Sequence, residues 1–177
     1  VAINALLSQT CGMALAKEYR SCFFRIYSSM ALKDNIQGSE SYFIVEIKSL
    51  KRILDAVNQD KTPVLCFVDE VLRGTNTVER IAASSRILQS FADSGVMCFA
   101  ATHDIELTTI LKDCYSNYHF QEEVTEDEVK FDYKLYAGPA TTRNAIKLLN
   151  VIGYDKNIIK GAEQRAMHFL TDGNWKS

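Results

Sequence analysis

The sequence predicts an α/β domain with a mostly parallel sheet and flanking helices, and three observations carry that prediction. Two short apolar runs, Val64–Val68 and Val96–Ala101, are too short for helices, and Pro63 bounds the first. Such runs read as strands buried on both faces, as parallel strands under helices are. Between them Val78, Ile81, Ala82, Ser85, Leu88 and Phe91 recur at helical spacing. A strand–helix–strand order of this kind calls for parallel pairing through a right-handed crossover.

The elements follow in chain order. Val1–Cys11 is apolar at positions 2, 3, 6 and 7, which predicts a short helix stopped by Gly12. Ser21–Ser28 (SCFFRIYS) is aromatic and β-branched with partial alternation and reads as a strand. Leu32–Glu40 is polar and holds Asn, Asp, Gly and Ser, so it reads as a loop. A helix is predicted from Ser41, with Ile47, Leu50, Ile53, Leu54 and Val57 on one face and Lys48, Lys51 and Arg52 on another. The first buried strand follows and ends in a Gly-Thr-Asn turn; the next helix ends near Gly95. The second buried strand closes on Thr102-His103-Asp104, and Ile105–Leu111 is a short helix. Tyr115–Gln121 and Val129–Tyr136 alternate around the acidic turn EEVTEDE, which suits a late antiparallel hairpin. Two C-terminal helices are predicted over about 142–152, stopped by Gly153, and 156–170.

Size and composition set bounds. With 177 residues, 47% apolar and 24% charged, the chain has one domain's worth of material and a globular balance. A net charge of −2 gives no electrostatic case for a general nucleic-acid-binding surface. The five cysteines (Cys11, Cys22, Cys66, Cys98, Cys114) have no metal-ligand spacing and read as reduced thiols of a cytoplasmic protein, core filler where buried. No apolar run approaches the roughly 18 residues that span a bilayer. The chain opens without a Met, a helix cap or a signal-peptide pattern, and is expected to be a piece of something longer.

Three stretches carry chemistry. Asp69 and Glu70 end the first buried strand, at the carboxyl edge where open α/β sheets bind ligands. Two such acids are either simply solvated, or one holds Mg²⁺ while its neighbour orients or deprotonates a water. One strand further on, His103 reaches the same edge, as a packing or surface residue or as a donor to a phosphate or an attacking water. Ser39 and Ser41 precede a helix, where hydroxyls cap the end and free N–H groups can receive an anion.

Together these stretches resemble the MutS family. FVDEVLRGTNT (67–77) is similar to that family's Walker B strand and following loop, DE-x-x-RGT-x-T. GSESYFIVE (38–46) resembles its signature S-T-F-x-x-E through Ser41, Phe43 and Glu46, and ATHDIELT (101–108) resembles its ATH-x-x-E-L-T switch segment. Order and spacing agree over roughly residues 1–165. The resemblance implies a P-loop NTPase of ABC type, the ATPase domain of DNA mismatch-repair proteins. Such domains form homodimers that sandwich each ATP, and act on DNA through parts outside this chain. Carried over, Asp69 would serve Mg²⁺, Glu70 would activate the water and His103 would be the switch histidine. Ser41, with Ser39 beside it, would reach the partner's γ-phosphate. Arg73, Gly74 and Thr75 would form the loop linking the nucleotide site to the dimer interface. Residues 1–153 would be the part of the ATPase domain after Walker A, and 154–177 a C-terminal helix suited to dimerisation.

The sequence departs from the family in three places. It contains no G-x-x-x-x-G-K-[ST], the loop whose backbone cradles phosphates and whose Lys and hydroxyl serve them and the metal. The chain is therefore expected to begin just past its own Walker A strand and loop and to be inactive by itself. Tyr42 stands where the signature has Thr, and GPATTRNAIKLLNVIG (138–153) differs from typical mismatch-repair members. Two duties stay open for the parent: mismatch recognition, or another DNA-related task. The rival reading is a non-catalytic dimerisation or interaction module on the same fold. A chromosome-maintenance ATPase would carry a Leu-Ser-Gly-Gly signature, which Gly38-Ser39-Glu40-Ser41 is not.

Overall fold

A computed structural model describes residues 1–30, 42–59, 61–125, 128–140 and 144–175. The expected loop over 32–40, with Ser39, and the neighbouring Ser41 lie outside the described residues. Two compact units divide the chain, Val1–Ser116 and Asn117–Ser177.

The first unit is a three-stranded parallel sheet in the order β1 (Arg25–Ser29), β2 (Val64–Asp69), β3 (Met97–Ala101). The β1 and β2 ladders run in register from Arg25↔Val64 to Ser29↔Val68, and β2 and β3 from Leu65↔Met97 to Asp69↔Ala101. β2 is central and buried from Val64 to Val68, as its apolar run demands. Its side chains alternate between two cores. Val64, Cys66 and Val68 pack with Leu50, Ile53 and Ala56 of α2 (Tyr42–Val57) and Leu88 and Phe91 of α3 (Thr77–Asp93). Leu65 and Phe67 face the other way, onto Ala5 of α1 (Ala2–Cys11). Gly12 ends α1 in the left-handed conformation at φ 68°, the stop the sequence predicts. Asn76 caps α3, its side chain accepting from the Val78 N–H at 2.9 Å.

Two strands depart from expectation. β1 starts at Arg25 rather than at residue 21. The Gln9 side-chain amide takes both backbone groups of Phe24, accepting from its N–H at 2.7 Å and donating to its C=O at 3.0 Å. Sheet pairing then begins at Arg25, whose N–H reaches the Pro63 carbonyl at 2.9 Å. β3 was expected to be buried on both faces, yet Met97 is 52% and Phe99 44% exposed. Like β1, it is an edge strand among the described residues. Only Val96 and Cys98 turn toward the α2–α3 core, while Phe99 stacks on Phe67 with centroids 5.4 Å apart. An apolar run reports affinity for a core but does not distinguish a central strand from an edge. All five cysteines are free thiols. The Cys66 thiol hydrogen-bonds to Cys98, its partner in the ladder, and with burial this holds it well above its usual range. The unit closes with α4 (Ile105–Ile110).

In the second unit the expected hairpin is antiparallel but divided into two ladders. β4 (Tyr118–His119) pairs with β7 (Tyr136–Ala137), and β5 (Glu122–Val124) with β6 (Val129–Phe131). Residues 122–124, expected in the turn, therefore belong to a strand. Next to this ladder the Thr125 N–H and hydroxyl both donate to the Glu128 carbonyl, at 2.9 and 3.1 Å. Two helices follow, α5 (Ala145–Ile152) and α6 (Lys156–Asp172). Gly153 breaks them at φ 89°, and the Asp155 side chain caps α6 by accepting from the Asn157 N–H at 2.8 Å. Ile158, Met167 and Leu170 of α6 are exposed. No described helix is long and apolar enough to cross a membrane.

Candidate functional site

Asp69 is the last residue of β2, and the next amide, Glu70 N–H, still bonds across to the Ala101 carbonyl at 2.9 Å. The chain then turns sharply. Glu70 and Leu72 both take positive φ, 50° and 61°. For non-glycine residues the left-handed region costs about 1–2 kcal/mol each. Such strain persists only where the surroundings hold it. Here Val71 and Leu72 are buried in the core, the Ser84 hydroxyl donates to the Val71 carbonyl at 3.3 Å, and the Leu72 N–H donates to a carboxylate oxygen of Glu46.

This turn swings the Glu70 carboxylate toward the Arg73 guanidinium and the His103 imidazole. Arg73 Nε contacts one oxygen, and His103 Nε2 lies 2.9 Å from the other. Glu70 is mostly shielded, at 21% side-chain exposure, whereas the His103 ring is 92% exposed. The β2–β3 register makes this meeting possible, since Asp69 and Ala101 are paired and the acids and His103 follow directly. Glu70, His103 and Arg73, singled out from sequence, are thus in contact, with Asp69 beside them at the strand end. Thr75 instead donates its hydroxyl to Glu79 at 3.3 Å.

Two features escaped the sequence reading. Glu46 is buried, at 6% exposure, while Ile47, assigned to the buried face of α2, is exposed. Glu46 keeps the helical spacing of Leu50, Ile53 and Val57, so a carboxylate on a core face was the available signal. Burial pushes its pKa above the ordinary glutamate range, against the N–H groups of Leu72 and Arg73 and the Arg73 charge, which pull it down. Phe43, one turn earlier on α2, lies over Gly74. The second feature is a two-pronged ion pair between Arg80 of α3 and Asp104, at 2.8 and 2.5 Å. It braces the segment carrying His103, and the Asp104 N–H also bonds Thr102 Oγ1 at 3.0 Å.

The comparisons with known proteins agree with these motifs. The model of MutS domain V matches residues 1–170. The "DNA mismatch repair protein MutS 2" of Haloarcula marismortui is 28% identical over 97% of this chain and 18% of its own length. The "DNA mismatch repair protein MutS" of Natronomonas pharaonis is 30% identical over 93% of this chain and 19% of its own length. The chain thus spans about a fifth of the length of the curated relatives it matches. With that family model matched over nearly its whole length, the chain belongs to the MutS family, as its domain V.

Proposed function

We propose that the chain is part of a P-loop, ABC-type ATPase domain whose parent couples Mg-ATP hydrolysis to DNA handling, with Glu70 as the general base. The observation that carries this reading is the contact of Glu70 with His103 at the carboxyl end of the central strand. A base there must accept a proton from water, for which each Glu70 oxygen keeps a lone pair beside its one contact, and opening a contact clears the approach of that water. The His103 contact is the weaker, because a ring so exposed is screened by solvent, while Arg73 keeps the other oxygen in place. His103, released, can donate to a γ-phosphate or to the attacking water. Ser41 and Ser39 would contact the partner's nucleotide, and Arg73 to Thr75 would link the site to the interface of a homodimer whose C-terminal element is 154–177. The five free thiols suit the cytoplasmic setting this reading carries.

Mg²⁺ fits the donors present. It takes hard oxygen ligands and keeps several waters, so Asp69 at the strand end is a sufficient protein contribution beside phosphate oxygens. When bound, the ion neutralises phosphate charge.

In the full-length protein, Glu70→Gln is expected to leave ATP affinity within about threefold and to slow hydrolysis about a hundredfold or more. Unchanged turnover would remove Glu70 from the role. The second reading, a non-catalytic interaction module on the same fold, is favoured by the absence of a G-x-x-x-x-G-K-[ST] and by the engagement of both Glu70 oxygens.

A further inference from the structure

Glu46 is the least expected group in the first unit. It is a carboxylate at 6% exposure, one oxygen accepting from the Leu72 N–H and the other without a hydrogen-bond partner. Burying an ionisable group in this way is costly, and stability alone does not call for it. The amide it holds lies in the turn where Glu70 and Leu72 are both left-handed, and that turn determines where the Glu70 carboxylate points. We infer that Glu46 is a positioning residue for Glu70. By fixing the Leu72 amide it locks the strained turn, and with it the direction of the Glu70 side chain. Phe43 over Gly74 supports the same turn from the same helix. The described start of α2 is thus tied to the turn that carries the Glu70 carboxylate. This inference rests on Glu70 being the base.

A double-mutant cycle in the full-length protein, read as steady-state ATP hydrolysis, tests it. Glu46→Ala is expected to lower kcat about tenfold to a hundredfold, the scale of a misaimed catalytic group, with KM for ATP within about threefold. In the Glu70→Gln background the same substitution is expected to change the residual rate less than about threefold, because the group it aims is gone. Glu46→Gln, which keeps an acceptor for the Leu72 amide, loses less turnover than Glu46→Ala. If Glu46→Ala does not fold, Glu46→Asp, which withdraws the carboxylate by one methylene, takes its place in the cycle. Equal losses in both backgrounds, a loss confined to KM, or no loss would overturn the inference. If Glu70→Gln itself leaves turnover unchanged, the base assignment fails and the positioning role fails with it. If Glu70→Gln slows turnover and the cycle is additive, only the positioning role fails.

Discussion

Glu46 shows how one buried side chain can be legible to titration as well as to kinetics. Its folded-state pKa lies above the ordinary glutamate value, with burial the largest cause. The folded state therefore binds more protons than the unfolded chain over the interval between the two values. Stability drawn from this site is full below about pH 4.3, the usual glutamate value, and is lost as pH rises through the folded pKa. Glu46→Gln has no proton to lose, so its melting temperature relative to the native protein should climb between pH 4 and pH 7. A constant difference across that range would show that burial does not dominate at Glu46. The acids at 69 and 70 and the histidine at 103 were readable in sequence because strand ends deliver polar residues to one edge. Glu46 matched the family signature, but its burial was not readable, because a charge among apolar helix positions is normally assigned to solvent. Only the fold shows that the Leu72 amide waits beneath it.

Among the elements, α1 to α4, β2 and the two C-terminal helices fall close to where the spacing of apolar residues places them. The misses have local causes. The side chain of Gln9 substitutes for a strand partner at Phe24 and delays β1. Thr125 bonds to Glu128 across the strand ends, and Glu122–Val124 beside it joins a ladder. Both are contacts between residues distant from or opposite one another, which periodicity does not encode. The helix that follows the site turn is held at its start by Asn76. Asn76→Ala should cost about 1 kcal/mol, or about 2–4 °C in melting temperature for a chain of this size. A thermal melt that does not move would mean that the cap adds nothing to α3.

For the molecule as a whole, the parallel sheet assembles the acid pair, His103 and Arg73 at one edge, and the sequence holds no G-x-x-x-x-G-K-[ST]. Each charge-assisted contact to a phosphate is worth roughly 1.5–3 kcal/mol, so removing several leaves weak binding. The family could be read from three separated motifs in register, whereas the exposure of β3 and the two-unit division needed the folded chain. The most direct test is a calorimetric titration with Mg-ATP of this chain beside one extended upstream by about 40 residues, room for a strand and a loop. The chain alone should show Kd of about 1 mM or weaker, since its own contacts supply little more than ~4 kcal/mol, and the longer chain should bind and hydrolyse. Absence of binding by the longer chain would contradict the ATPase reading and leave the interaction module in its place.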